Sequence, residues 1–283
     1  MIVLIVSVPM MLAEDFALDR ARSRYAPYGD GRVHYKSLGS GSTAVVFVHG
    51  WNGDASIWNR QADAIDGRVR ALFVDLPGFG RSDKPDVSFT MDYMADGVDA
   101  VLRAAGVQRA VLVGHSMGTP VIRQYYRRHR AKVAALVIVD GALRPFFRDE
   151  EAARPFLAQI ESPNYEVNVG RMMDGMLGAT AASSIRDDVK RVALATPQRV
   201  AISAMRAQLD PAIWGDDPIL VPTLAVMAPN RGWNADYVDY VKRLAPQVRY
   251  ETMAGVGHFL MLERPAEFNA LLVDFLRSLR VVR

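Results

Sequence analysis

Residues 109–130 read RAVLVGHSMGTPVIRQYYRRHR, in which a short apolar run passes through a Gly-His-Ser-Met-Gly turn into a helical pattern. Residues 111–113 have the character of a buried strand, and apolar side chains recur at helical spacing over residues 121–126. The stretch therefore predicts a strand, a sharp turn and a helix, with Ser116 at the apex of the turn. Such a turn strains its central residue and lifts that side chain clear of the sheet. Ser116 is thus a candidate nucleophile, although the pentapeptide alone also fits a glycine-rich connection in which Ser116 caps the helix.

The composition is typical of one compact enzyme-sized unit. The chain has 283 residues, of which 50% are hydrophobic, enough for one large core or for a core with an inserted subdomain. The formal charge is only +3, and the basic residues are interspersed with acidic ones, so we expect no nucleic-acid partner. The absence of cysteine excludes a disulfide framework, a thiolate metal site and a cysteine nucleophile.

The N-terminal residues 1–13, MIVLIVSVPMMLA, form an apolar run that is too short to span a bilayer as a helix. The run resembles the central region of a secretory signal peptide, but it lacks a basic start and ends in a poor cleavage site. A truncated signal peptide, a misassigned start and a segment packed on the body all remain open. We favour export to the periplasm over a cytoplasmic location, and we treat residues 1–20 as a separate N-terminal segment.

Buried strands alternate with helical patterns along the next part of the chain. Strands are predicted at 31–38, 43–48, 69–74, 111–113 and 133–139, and an amphipathic helix at 91–105. This alternation predicts an α/β fold with a mostly parallel sheet, whose functional residues cluster at the carboxyl ends of the strands. Trp51, Ser116 and Asp140 all follow such ends.

The loop His49-Gly50-Trp51-Asn52-Gly53 follows the strand at 43–48 and is rich in glycine. Acyl transfer requires two backbone N–H groups aimed at the oxygen that becomes negative in the tetrahedral intermediate. The N–H groups of Trp51 and Met117 are our candidates for this oxyanion hole. Taken alone, the loop is equally typical of a plain strand-to-helix connection.

Four motifs occur in order: HGW at 49–51, DLPGFGRSDKP at 75–85, GHSMG at 114–118 and GVGHFLMLERP at 255–265. Together they resemble the α/β-hydrolase superfamily, in its branch of small serine hydrolases with a helical cap. The resemblance implies a central, mostly parallel sheet flanked by helices, a Ser-His-acid triad, and neither a cofactor nor a metal. It places the nucleophile at Ser116 and the oxyanion donors at Trp51 and Met117.

His258 is the candidate general base. It follows the strand predicted at 248–253 and lies in a glycine-rich loop, where the superfamily keeps this residue. A neutral imidazole there would take the Ser116 proton and return it to the leaving group. His115, next to the nucleophile, should point away from the apex of the turn.

Residues 144–216 show helical patterns and no clear strand, which fits the cap of the superfamily. The hydrolase core would then comprise residues 21–143 and 217–283. Methionine side chains can line an adaptable apolar pocket, although most of the apolar residues in this segment would form its own core. The candidate substrate-binding residues are His49, Gly50, Met172, Met176 and Phe259.

The triad acid departs from the usual pattern. The superfamily commonly carries it shortly after the strand that is 220–227 here, but Arg231 occupies the expected place. Two residues compete for the role. Asp140 directly follows the strand at 133–139, a position that some relatives use, whereas Asp236 looks like an acidic residue in the first turn of a helix. We prefer Asp140 and keep Asp236 as the alternative.

These features predict a serine hydrolase that cleaves a small to medium carboxylic ester through an acyl-enzyme. Ser116 disfavours dehalogenase and epoxide hydrolase chemistry, which uses aspartate as the nucleophile on this fold. Hydrolysis of carbon–carbon bonds, lactones or peracids remains open, as does a non-hydrolytic binding protein. The expected partner is a small-molecule ester, and no stable membrane span is expected.

Overall fold

Eight strands form one sheet in the computed structural model, which describes residues 16–230 and 232–282. The strands are β1 (Ser23–Tyr28), β2 (Gly31–Leu38), β3 (Thr43–Val48), β4 (Ala71–Val74), β5 (Arg109–His115), β6 (Val133–Val139), β7 (Thr223–Met227) and β8 (Val248–Thr252). Residues 1–13, on which the export hypothesis rests, and Arg231 lie outside the described residues.

The order of the strands is β1-β2-β4-β3-β5-β6-β7-β8. The six strands from β4 to β8 pair in parallel, whereas β2 pairs antiparallel with both β1 and β4. The prediction of a mostly parallel sheet is therefore confirmed. The carboxyl ends of β3, β5 and β6 are neighbours along one edge of this sheet, which brings the loops that follow them together.

Strand β3 shows why the centre of the sheet forms where it does. Its residues Ala44 to Val48 are buried on both faces, and the ring of Phe47 stacks on Phe73 of β4 at 4.8 Å between centroids. A continuous apolar run of this kind is typical of parallel strands that helices cover on both sides.

Helices flank the sheet and fill the connections between strands. They are α1 (Ala17–Arg20), α2 (Asn59–Ile65), α3 (Met91–Ala104), α4 (Gly118–Arg128), α5 (Glu150–Glu161), α6 (Tyr165–Met176), α7 (Ser183–Leu194), α8 (Gln198–Ala207), α9 (Ala235–Leu244), α10 (Leu260–Glu263) and α11 (Pro265–Ser278). Helix α3 begins where Thr90 accepts a hydrogen bond from the Tyr93 N–H at 3.0 Å, and it packs against α4. None of the helices in the described part of the chain is long and apolar enough to cross a membrane.

Helices α5 to α8 lie between β6 and β7 and are called the helical segment below. Three hydrogen bonds tie this segment to loops at the carboxyl edge of the sheet. The Trp51 indole donates to the Ala201 carbonyl at 2.8 Å, the His258 N–H donates to the Met176 carbonyl at 2.7 Å, and the Phe89 N–H donates to a serine hydroxyl of α8 at 2.9 Å. The helical segment is thereby held against the edge where Ser116 lies.

The structure differs from the predicted elements at two points. Strands β4 and β7 are shorter than predicted, starting at Ala71 and Thr223. Strand β1 was not predicted, because it is an edge strand with mostly exposed side chains and Pro27 near its end, and so lacks a buried apolar pattern.

Candidate active site

Ser116 lies between the last residue of β5 and the first residue of α4, with a φ of 51°. A non-glycine residue rarely adopts this left-handed conformation, which costs about 1–3 kcal/mol and persists only where surrounding contacts enforce it. Here the Ser116 N–H donates to the Val139 carbonyl at 3.0 Å, and the Ser116 carbonyl accepts from the Thr119 N–H at 2.9 Å. The turn is therefore anchored to β6 on one side and to α4 on the other.

Glycines allow the close approach that this turn requires. A Cβ atom added to Gly114 would lie 2.6 Å from the Gly118 carbonyl oxygen, and one added to Gly118 would lie 2.6 Å from the Val48 carbonyl oxygen. Both contacts are with backbone, which cannot move aside easily. Helix α4 consequently starts tight against β3 and β5, and Met117 carries one of the N–H groups at its start.

The loop after β3 passes directly over the nucleophile candidate. A Cβ atom on Gly50 would lie only 2.8 Å from the Ser116 Cβ. Next to it, the Trp51 side chain is bound to Ala201, and the Asn52 amide donates to the Tyr165 hydroxyl at 2.9 Å from a left-handed backbone with φ of 56°. Contacts from the helical segment thus fix the path of this loop beside Ser116.

His258 and Asp140 form a short hydrogen bond, with 2.6 Å between Nδ1 and Oδ2. Asp140 is buried, and its second oxygen accepts from the Ala228 N–H at 2.9 Å and from the Trp233 indole at 2.8 Å. An ionised carboxylate only accepts hydrogen bonds, so Nδ1 of His258 carries the proton. The other ring nitrogen, Nε2, is then left as a base in the neutral imidazole.

Asp236 occupies a different place. It lies exposed in the first turn of α9, where acidic side chains interact favourably with the helix dipole. Its neighbour Asn234 caps this helix by accepting from the Tyr237 N–H at 3.0 Å. The structure therefore brings Asp140, and not Asp236, to His258.

His115 supports the His258 loop from below. It is buried, and its Nε2 lies 3.0 Å from the His258 carbonyl oxygen. Burial, together with the proximity of His258, holds the pKa of His115 well below its usual value, so this imidazole stays neutral. Glu263 braces the same loop, because its carboxylate accepts from the N–H groups of Gly257 at 3.0 Å and Gly178 at 3.1 Å.

Ser116, Asp140, His258 and Trp51 line one cavity of about 800 Å³, called the Ser116 cavity below. Most of its wall is apolar and comes from the helical segment and the loops around it. The apolar lining includes Phe146, Phe147, Phe156, Met173, Met176, Leu177, Met205, Trp214, Trp233 and Phe259. In the described part of the chain, no group of three or more Asp, Glu and His side chains is placed to hold a metal ion.

Of the five candidate substrate-binding residues, Met176 and Phe259 line this cavity. Met172 does not, because the cavity-facing stripe of α6 runs through Met173 and Met176, three residues apart, and leaves Met172 on another side. Gly50 contributes its backbone against Ser116 rather than a wall of the cavity.

His49 has a structural environment. Its ring is buried, with Nδ1 lying 2.8 Å from the Gly50 carbonyl oxygen and Nε2 accepting from the Leu76 N–H at 2.9 Å. Both ring nitrogens are used to connect loops, and burial lowers the pKa of His49. The structure does not bring His49 to the Ser116 cavity.

Trp233 is the main contributor that the sequence pattern did not reveal. Its indole bonds Asp140 across 93 residues of sequence. No local signal in the sequence marks such a contact, because it depends on how the loops after β6 and β7 meet.

Comparison with known proteins agrees with this arrangement. Residues 45–271 match the Alpha/beta hydrolase family. Among curated proteins, the chain is 26% identical over 297 residues to a 2-hydroxy-6-oxononadienedioate/2-hydroxy-6-oxononatrienedioate hydrolase from Paraburkholderia phymatum, covering 91% of this chain and 96% of that protein. It also matches acetyltransferase components of acetoin cleaving systems from Pseudomonas putida and Cupriavidus necator, and it spans about two thirds of their length (65% and 68%).

Solved structures show the same architecture. An esterase from Exiguobacterium antarcticum superposes with a TM-score of 0.81 at 17% identity, covering 90% of this chain and all of that one. Est816, described as an N-acyl homoserine lactone degrading enzyme, superposes with a TM-score of 0.76 at 26% identity, covering 89% of this chain and all of that one. With its eight-stranded sheet and a family match over most of its length, this chain belongs to the Alpha/beta hydrolase family.

Proposed function

We propose that this protein is a serine hydrolase that cleaves carboxylic esters of small to medium size. The observation that carries the proposal is the meeting of three groups at one cavity: Ser116 on its strained turn, and His258 bonded to the buried carboxylate of Asp140. These residue types in this order of contact are the parts that activate a hydroxyl nucleophile.

In the first half-reaction, the Ser116 oxygen attacks the ester carbonyl while His258 Nε2 accepts its proton. The imidazolium that forms is stabilised by Asp140, whose charge is held by two further donors, Ala228 and Trp233. His258 then gives the proton to the departing alcohol, and an acyl group remains on Ser116.

We assign the oxyanion hole to the N–H groups of Trp51 and Met117. The Met117 group lies at the start of α4, where the helix dipole favours negative charge. The Trp51 group belongs to the loop that passes 2.8 Å from Ser116 when a Cβ is built on Gly50. Water then attacks the acyl group with His258 as base, which releases the acid and restores the hydroxyl.

The helical segment would act as the cap, since it supplies much of the apolar wall over these groups. A lined, apolar cavity of this kind suits the acyl chain of an ester and excludes bulk water from the reaction. We assign substrate contacts to Met173, Met176 and Phe259.

Labelling with a fluorophosphonate probe tests the proposal directly. The wild-type protein should be labelled and should hydrolyse p-nitrophenyl butyrate, whereas Ser116→Ala should lose both properties and keep its circular dichroism spectrum. A folded wild-type protein that neither reacts with the probe nor hydrolyses a broad panel of esters would exclude a serine hydrolase and favour a ligand-binding protein on this fold.

Lactones are a second candidate substrate class, favoured by the 26% identity to a lactone-degrading enzyme over 89% of this chain. A lactone is a cyclic ester, so the same nucleophile, base and oxyanion hole apply. Titration of the acid released from N-acyl homoserine lactones, compared with that from ethyl esters of the same acyl length, would rank the two classes.

A further inference from the structure

Arg144 is a cation on the wall of the Ser116 cavity that the proposed mechanism does not use. It lies in the loop between β6 and α5, four residues after Asp140, and its side chain is half-buried. Pro145 follows it and restricts its backbone. The position is therefore defined by the same loop that carries the triad acid.

Two tyrosine rings hold the guanidinium in place. The Arg144 Cζ lies 5.1 Å from the centre of the Tyr237 ring and 5.8 Å from that of Tyr240. Both hydroxyls are engaged elsewhere: that of Tyr237 accepts from the Leu143 N–H at 3.0 Å, and that of Tyr240 donates to Asp216 at 3.1 Å. The rings thus orient the cation by cation–π contact but do not neutralise its charge.

The guanidinium has no hydrogen bond or ion pair with any residue that the structure describes. Other partly or fully buried arginines of this protein do have such partners. Arg123 donates to the Leu143 carbonyl at 2.9 Å, and Arg127 lies 2.7 Å from the carboxylate of Asp217. Arg144 is therefore a preoriented donor whose polar edge is available to a molecule in the cavity.

The other ionisable groups on the described wall of the cavity leave this charge uncompensated. The Asp140 carboxylate is already bonded to His258, Ala228 and Trp233. His115 is kept neutral by its burial. An anionic group on the substrate would therefore meet one cation and no unpaired carboxylate among these described lining residues.

We propose that Arg144 binds a carboxylate of the substrate, so that the preferred substrates are esters that carry a second, free carboxylate, such as half-esters of dicarboxylic acids. The fork of the guanidinium matches the two oxygens of a carboxylate, and a cavity screened from water strengthens such a pair. This inference rests on the proposed ester hydrolysis and adds the class of ester.

The test compares two esters with the same six-carbon acyl chain, monoethyl adipate and ethyl hexanoate, by titrating the released acid. The wild-type protein should prefer the half-ester in kcat/KM, and Arg144→Gln should lower the ratio of the two values by about 10- to 100-fold, the range expected for a charged hydrogen bond, mainly through KM. Arg144→Lys, which keeps the charge but not the fork, should lower the ratio by a smaller factor. Arg148→Gln is the matched control, because Arg148 lies in the same loop, is exposed and bonds only Asp149 among the described residues, so the ratio should not change.

Equal kcat/KM values for the two esters in the wild type, or an unchanged ratio in Arg144→Gln, would overturn the inference while ester hydrolysis stands. If Arg144→Gln does not fold, as judged by circular dichroism, Arg144→Lys decides by the same criterion. If the wild type hydrolyses neither ester, calorimetric titration with monoethyl adipate decides: binding that weakens about tenfold or more in Arg144→Gln upholds the carboxylate site, and no binding rejects it.

Discussion

At the scale of single residues, the triad acid is the assignment that most needs a test. Asp140 is buried, bonded to His258 at 2.6 Å and held by two further donors, whereas Asp236 is exposed on α9. A carboxylate in the first position fixes the tautomer of the imidazole and stabilises its protonated form. A carboxylate in the second position interacts with a helix terminus and with solvent.

We therefore predict that Asp140→Asn lowers kcat by at least about 10²-fold with little change in KM, because the amide can donate to Nδ1 and leave Nε2 protonated. Asp236→Asn serves as the matched control and should stay within about threefold of wild type, as expected for a surface substitution. Steady-state kinetics on p-nitrophenyl butyrate measure both. A large loss in Asp236→Asn alone would reassign the acid, and near-normal rates in both variants would mean that His258 works without a carboxylate partner.

At the scale of elements, the helical segment decides the shape of the site. Helix α6 contributes Met173 and Met176 to the cavity wall, and α8 contributes Met205. Hydrogen bonds from Trp51 and Asn52 to this segment couple it to the loop that we assign to the oxyanion hole. Binding of the acyl chain and the geometry of catalysis are thus set by the same contact between segment and sheet.

This arrangement predicts a preference for short to medium acyl chains. The cavity of about 800 Å³ is bounded by the helical segment, so kcat/KM on p-nitrophenyl esters should rise to a maximum between roughly four and eight acyl carbons and fall sharply at sixteen. Emulsified triolein should be a poor substrate. Highest activity on long-chain triglycerides, with a jump in rate when an oil interface forms, would contradict this assignment of the segment.

At the scale of the whole molecule, two buried histidines make stability depend on pH. Burial lowers the pKa values of both His115 and His49 in the folded protein. In the unfolded chain a histidine takes up a proton near pH 6.5. Below that pH the unfolded state binds more protons than the folded state, so the free energy of unfolding falls as the pH is lowered.

The free energy of unfolding should therefore decrease between pH 6.5 and pH 5 by up to about 1.4 kcal/mol per pH unit for each of these histidines. Urea unfolding at several pH values measures this slope. The variant His115→Asn should show a shallower slope whatever its absolute stability, because one titrating group has been removed. A stability that does not change over this interval in the wild type would mean that both imidazoles become protonated in the folded state.

Much of the fold was already determined by local sequence. Strands β3 and β6 begin and end at the predicted residues, because continuous runs of β-branched and aromatic residues form buried strands wherever they lie in such a sheet. The turn at Ser116 was predicted for the same kind of reason, since glycines on both sides permit its close backbone contacts. By contrast, β1 carries no buried pattern and is a strand only because it pairs with β2.

The arrangement around the site was decided by tertiary structure. The sequence left Asp140 and Asp236 in competition, and it gave no sign that Trp233 would bond the first of them or that two tyrosines of α9 would hold Arg144. These contacts join residues about 90 or more positions apart and depend on how loops after different strands meet at the edge of the sheet. Local periodicity determines which residues form an element and which face is buried. The partner of a polar side chain at the end of a strand depends on the order of the strands, which is a property of the folded chain as a whole.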